Sequence, residues 1–293
     1  MEIFGRPLPA LASQIVLGLV NGSFYAMLSL GLAIIFGTLN IVNFAHGAFY
    51  MVGAFGAFFA LSDLGLNYWV ALVAVPLAVG AIGVVVERGL LKQLRGLDPL
   101  YGLLLTFGLS LVLEGILRDF YGSSGRSYPR PPALNGAWNL GFMALPVSRA
   151  WVIGVSLAVC LATWFVIERT RLGAYLRAAT ENPSLTQAFG VNVPLLVTLT
   201  FGFGVALAAL AGVLAASAVQ ITPLMGSNII IVVFAVVVIG GMGSILGAIV
   251  TGLGLGIVEG LTRVYYPEAS ATVVFVIMAI VLLVRPAGLF GKA

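Results

Sequence analysis

Six side chains able to hydrogen-bond stand inside otherwise apolar runs near the start of the chain: Asn21, Ser23, Ser29, Asn40, Asn43 and His46. Asn43 and His46 are three residues apart, so on a helix they share a face. An amide or an imidazole in hydrocarbon costs free energy unless it is paired. These groups must therefore face a protein interior or a water-filled path. Two readings follow. They hydrogen-bond neighbouring helices, each bond contributing about 0.6–2 kcal/mol, or they line a polar pathway. His46 is the single histidine and Cys160 the single cysteine. Standing far apart, they make no metal-ligand cluster, and Cys160, in an apolar run, reads as a small hydrophobe. Histidine alone could shuttle protons, but a proton-coupled carrier needs a buried carboxylate and none stands out. Glu114 precedes Arg118 by four residues and Glu259 precedes Arg263 by four. Both read as i,i+4 pairs that snorkel at the membrane interface.

A second polar group is the stretch 170–194, TRLGAYLRAATENPSLTQAFGVNVP, with Arg171, Arg177, Glu181, Asn182, Gln187 and Asn192. A chain with so few charges places them here, between two apolar runs, which predicts a short structured element that docks a soluble partner. Glycine is the third signal. Gly37, Gly47, Gly53 and Gly56 punctuate one region, and Gly240, Gly241, Gly243, Gly247, Gly252, Gly254 and Gly256 another. FGTLNIVNFAHGAFYMVGA and IGGMGSILGAIVTGLGLG are weakly alike, each a glycine-rich break between apolar runs. Corresponding interrupted segments point to a translocation path, and small residues also let helices approach closely. There is no GxxxxGK[ST], no HExxH and no serine nucleophile elbow. If transport is driven, another chain supplies the energy.

The elements that position these residues must lie in lipid. Of 293 residues, 61% are hydrophobic and 8% charged, against about 25% charged in soluble domains. The apolar runs lack period-2 alternation, which excludes a β-barrel. The expected fold is all-α: a polytopic transmembrane bundle of about eight or nine spans, one domain over 1–293, with glycine-rich broken helices and a weak internal repeat. The spans are read at 11–36, 40–62, 69–87, 100–118, 150–167, 194–217, 228–242, 244–262 and 269–285, each near the ~20 residues a crossing needs. Residues 1–10 lack the basic region of a cleavable signal. A net charge of +4 without a basic stripe argues against nucleic acid. With 170–194 inside, the inner side carries Arg88, Lys92, Arg95, Arg169, Arg171, Arg177, Arg285 and Lys292, and the outer side Arg6, Arg118, Arg126, Arg130, Arg149 and Arg263. Eight against six does not decide the orientation. The loop 119–149 holds Pro129, Pro131 and Pro132, then a loose alternation from Ala137 to Leu145 about Gly141, which predicts a hairpin anchored by Trp138 and Trp151.

GLAIIFGTLNIVNFAHGAFYMVGAF, RLGAYLRAATENPSLTQAFGVNV and VVVIGGMGSILGAIVTGLGLGIVE together resemble the permeases of branched-chain amino-acid ABC importers, of the kind forming the first of two related membrane subunits. The resemblance covers residues 11–290. It implies a multi-pass subunit of the bacterial inner membrane that binds no cofactor itself, with ATP and magnesium on partner chains. The implied partners are a second homologous permease, two cytoplasmic ATPases, a periplasmic binding protein and membrane lipid. It makes 119–149 periplasmic and 168–193 a cytoplasmic coupling segment, with Arg177, Ala178, Glu181, Asn182, Pro183 and Gly190 as coupling residues, to which the polar stretch itself adds Arg171. That stretch departs from the tighter Glu-Ala-Ala…Gly pattern of better-known importers. The implied pathway residues are Asn40, Asn43, His46, Gly47, Gly240, Gly241, Gly243 and Ser244, to which the polar residues of the first span add Asn21. The implied cargo is a branched-chain or other small amino acid. A channel or secondary carrier working alone, and a membrane enzyme or assembly factor, are the competing readings.

Overall fold

The computed structural model describes residues 2–3, 6–39, 41–94 and 96–291; Asn40, Arg95 and Lys292 lie outside them. Among the described residues the chain forms eleven α-helices: α1 (Leu8–Leu39), α2 (Ala45–Ser62), α3 (Tyr68–Gly89), α4 (Pro99–Tyr121), α5 (Val147–Arg169), α6 (Arg171–Glu181), α7 (Pro183–Ala188), α8 (Val193–Ala216), α9 (Met225–Gly240), α10 (Ile245–Tyr265) and α11 (Val273–Val284). Seven are long and apolar enough to cross a membrane, and α9 and α11 are shorter apolar helices. Each of the nine overlaps one of the nine expected spans. At 1.5 Å per residue α9 is about 24 Å long and α11 about 18 Å, less than the ~30 Å hydrocarbon core. A crossing by either needs its connecting segments to complete it. Helix α1, by contrast, is about 48 Å long and must tilt or emerge.

The centre of the bundle is α1, α2 and α8, which are mostly buried, while α3, α4 and α5 lie at the periphery. Helices meet through small residues, as expected where lipid is as apolar as leucine. Along the α1–α10 crossing a Cβ on Gly18 would lie 2.4 Å from the Gly256 carbonyl oxygen, and one on Gly252 2.5 Å from the Ala26 nitrogen. Gly47 meets Gly226 where α2 crosses α9, and Gly53 meets Ala209 where α2 crosses α8.

The helix ends have local causes. Asn67, Asp98, Asn182, Asn192 and Ser244 each cap the following helix with a side-chain oxygen. Connections fall at two ends of the bundle. At one end Ser13 Oγ reaches the Phe142 carbonyl at 3.5 Å, Trp151 Nε1 donates to Tyr68 Oη at 3.2 Å, and Arg126 and Ile221 exchange backbone bonds of 2.8 and 2.9 Å. At the other end Gly37 stands against Gly243, and Leu39 packs on Val193 and Val197. The expected hairpin is present as two antiparallel strands, Ala137–Asn139 and Ala144–Pro146, turning at Gly141 with φ 83°. Trp151 packs edge-on to Trp69 at 5.2 Å between ring centroids, while Trp138 is exposed. In the same loop, burial and the nearby Tyr68 raise the Tyr128 phenol above its ordinary value.

Candidate functional site

Polar stretch 170–194 folds as an elbow of two short helices. Thr170 is extended, so α5 stops and α6 starts one residue later. Gly173 permits the sharp turn: a Cβ there would sit 1.6 Å from the Ile167 carbonyl oxygen. Asn182 is extended, as the residue before a proline must be, and its Oδ1 accepts from Leu185 N at 2.9 Å to start α7, with Pro183 at its first position. Gly190 closes α7 with φ 84°. On α6, Gly173, Leu176 and Ala179 are buried, a stripe at helical spacing. Arg171, Tyr175, Ala178 and Glu181 are exposed, as are Leu185 and Phe189 beyond them.

Through Leu176 the buried stripe reaches the end of α1 and the second helix break. A small cavity of about 80 Å³ is lined by Ala33, Ile34, Gly37 and Thr38 of α1, Ile167 of α5, Leu176, Arg177 and Thr180 of α6, and Gly243 and Ile245 of the second break. A Cβ on Gly37 would lie 3.4 Å from Gly243 Cα. The second break is made by Gly241 (φ 100°) and Gly243 (φ 83°), conformations that favour glycine. Gly240 packs on Gly247, and Ser244 Oγ accepts from Gly247 N at 3.1 Å. The first break runs over Ile41–Phe44, where Phe44 N donates to Thr106 Oγ1 and Thr106 Oγ1 donates to the Val42 carbonyl, both at 3.2 Å.

Arg177, an implied coupling residue, is half-exposed; its Nη1 donates to the Ile167 carbonyl at 3.2 Å and lies 3.5 Å from Glu168 Oε2. The guanidinium thus ties α6 to the end of α5. Its ion pair is half-exposed and contributes at most about 1 kcal/mol; the bond to an otherwise open helix-end carbonyl is the stronger tether.

The polar groups at membrane depth do not form one cluster. His46 is fully buried, with Nε2 3.0 Å from the Leu28 carbonyl. A carbonyl only accepts, so Nε2 carries the proton. Gly31 gives the ring its room: a Cβ there would lie 2.9 Å from His46 Cε1. Asn43 precedes α2, and its carbonyl accepts from His46 N at 3.2 Å. Its side chain is buried with neither Oδ1 nor Nδ2 bonded. Asn21 is half-buried on α1, four residues before Tyr25. Gly47 serves the α2–α9 contact. Asn40 falls outside the described residues. Ser23 bonds the Leu19 carbonyl within α1, whereas Ser29 donates to Val233 on α9 at 3.3 Å.

Two carboxylates, Glu87 and Glu259, correct the expectation that none is buried, and a third, Glu114, is mostly covered. Glu87 on α3 is fully buried and accepts from Thr198 Oγ1 of α8 at 2.5 Å. Glu259 accepts from Tyr25 Oη at 2.8 Å as well as from Arg263 at 2.6 Å. Glu114 accepts from Ser227 Oγ of α9 at 2.5 Å and from Arg118 at 2.6 Å. The two i,i+4 pairs are therefore staples between helices, with the carboxylates turned inward and only the arginines reaching outward. The sequence marks Glu87 only as an acid at the end of an apolar run; that Thr198 faces it is decided by packing. Among the described residues no group of three or more His, Cys, Asp or Glu could hold a metal.

Residues 14–284 match the family described as branched-chain amino acid transport system / permease component. The chain is 33% identical to the high-affinity branched-chain amino acid transport system permease protein LivH of Escherichia coli, over 95% of both chains. It is 32% identical to the corresponding BraD of Pseudomonas aeruginosa, again over 95% of each. The ribose import permease protein RbsC of Escherichia coli is 24% identical over 86% of this chain and 80% of its own length. No solved structure matches.

Proposed function

This chain belongs to the branched-chain amino acid transport permease family and is a multi-pass permease subunit of an ABC importer; from that premise we propose how it is driven and what it carries. The α6–α7 elbow is the surface on which an ATPase chain acts, and a branched-chain or similarly small amino acid is the cargo. The single observation that carries this is the two-sidedness of α6. One face shares a small cavity with the last turns of α1, at Gly37, and with the second break, at Gly243. The other, continued by Leu185 and Phe189 of α7, is bare. A push on the bare face reaches the end of α1, just before the first break, and the second break itself through Leu176 and Arg177. Under this reading, α6 and α7 lie in the cytoplasm, the hairpin loop lies in the periplasm, and the membrane is the bacterial inner membrane. The partners are two ATPase chains carrying ATP and magnesium, a second homologous permease and a periplasmic binding protein.

The test separates docking from transmission. Leu185→Asp with Phe189→Asp should abolish co-purification of the ATPases, since interface anchors are apolar and central. Arg177→Glu should leave the ATPases bound yet make their hydrolysis unresponsive to loaded binding protein. Normal docking and coupling in both variants overturns the assignment. Uptake driven by a proton or sodium gradient in liposomes holding this chain alone would overturn the ABC reading itself.

A further inference from the structure

Helices α3 and α8 cross through Gly80, Gly202 and Ala206, with a Cβ on Gly202 lying 3.1 Å from the Gly80 carbonyl. Beside that seam the surface is apolar in the bundle and basic at its α6 end. A groove of about 620 Å³ includes Leu77 of α3 and Leu199 and Phe203 of α8. A cavity of about 470 Å³ at the α6 end is lined by Arg88, Lys92, Asn192, Pro194, Leu195 and Thr198. The two share faces. Leu195, Leu199 and Phe203 form an i,i+4 row that runs from one into the other. Arg88 follows Leu77 by eleven residues, three helical turns, so both lie on one side of α3. The distance from Leu77 to Arg88 is about 16 Å, close to one leaflet of a ~30 Å hydrocarbon core.

Arg88 and Lys92 are exposed, and among the described residues neither side chain has an ion pair or hydrogen bond. The adjacent acid in the chain, Glu87, is buried at the seam, where it accepts from Thr198. The start of α8 adds little. Val193 N bonds the Val191 carbonyl, Pro194 has no N–H, and Leu195 N is taken by Asn192 Oδ1. The attraction for an anion therefore comes from the two side chains. Two free cations at the membrane boundary, over an apolar trough one leaflet deep, match a molecule with a negative head and a hydrocarbon tail. We propose that this groove is a binding site for an anionic phospholipid, its phosphate held by Arg88 and Lys92 and an acyl chain lying along Leu77, Leu195, Leu199 and Phe203. The site does not depend on which solute is transported. A lipid there would brace the α3–α8 pair and the start of α8, to which the α6–α7 elbow is joined.

The experiment uses the full-length chain purified in mild detergent. Phosphatidylglycerol, phosphatidylcholine and inorganic phosphate are added separately, with bound lipid counted by native mass spectrometry and Tm recorded. Phosphatidylglycerol should be retained and raise Tm, phosphatidylcholine less so, and inorganic phosphate should leave Tm unchanged. Arg88→Ala with Lys92→Ala should lower phosphatidylglycerol retention about tenfold or more. Leu199→Trp, which keeps both cations and fills the trough, should lower it too. For the unmodified chain, retention should fall as salt rises, a readout that needs no variant to fold. Equal retention by the double variant overturns the site. So does a phosphate effect equal to that of the lipid, which would mark a free-anion cavity. Loss of ATPase binding in the double variant with lipid retention unchanged would also overturn it, as the mark of a protein-docking cleft.

Discussion

Asn43 and His46 are neighbours with different tasks. His46 spends its Nε2 proton on the Leu28 carbonyl inside a packed junction with Gly31, so it joins α2 to α1. Asn43 is as deeply buried but bonds nothing with its side chain. An unpaired buried amide costs about 1–3 kcal/mol, and such a cost is tolerated where the group serves a pathway or a moving part. His46→Ala is therefore expected to lower unfolding stability by about 1–3 kcal/mol, with uptake falling only in proportion to folded protein. Asn43→Ala should leave stability equal or higher and reduce uptake per folded complex. Thermal unfolding in detergent and uptake in proteoliposomes decide between them; the reverse assignment of effects would exchange their roles. Glu87 and Thr198 offer a second test. Their 2.5 Å bond joins α3 to α8, and a double-mutant cycle with Glu87→Gln and Thr198→Val should show a coupling of about 1–3 kcal/mol. A coupling near zero would mean that packing at Gly80 and Gly202 alone holds the seam.

At the scale of elements, spacing between backbones governs the bundle. On α10, Gly252, Gly256 and Gly260 repeat every four residues and face α1, whereas Gly254 faces away. A Cβ on Gly256 would lie 2.4 Å from Gly22 Cα, and one on Gly254 would meet nothing within 4 Å. Overpacking a tight contact costs on the order of 1–3 kcal/mol, while glycine to alanine at an open helical position is favourable by about 0.5–1 kcal/mol. Gly256→Ala should thus lower Tm and Gly254→Ala hold or raise it. Equal effects would show that α1 and α10 give way to each other. The α5–α6 elbow follows the same logic, because Gly173 is the residue that lets α6 fold back beneath Ile167.

For the whole molecule, the two ends of the bundle are assigned by contacts that link connections far apart in sequence. Arg126 pairs with Ile221 at one end, and Gly37 meets Gly243 at the other. The single cysteine, Cys160, is buried, so a Cys160→Ala background supports labelling. A cysteine introduced at Ser124 should react with an impermeant reagent from the periplasmic side, and one at Ser184 only after the cytoplasmic face is opened. Labelling of both from the same side would contradict the arrangement of crossings.

Composition alone placed this chain in lipid, and the run lengths alone marked its nine apolar helices, because hydrocarbon imposes a length and a polarity on whatever crosses it. Local chemistry was equally legible. Asn182–Pro183 made the elbow, Gly241 and Gly243 the break, and Ala137 to Leu145 the hairpin, since each acts on residues two to four positions away. Tertiary structure decided the partners. Nothing in the spacing of Glu87, Glu114 or Glu259 tells that Thr198, Ser227 and Tyr25 turn them inward. Nothing in Arg177 tells that it bonds Ile167 before any partner arrives. A charge near a helix end has the same local sequence whether it faces water or a neighbouring helix. Which of these it meets is settled only when helices remote in sequence close on one another, at distances their glycines permit.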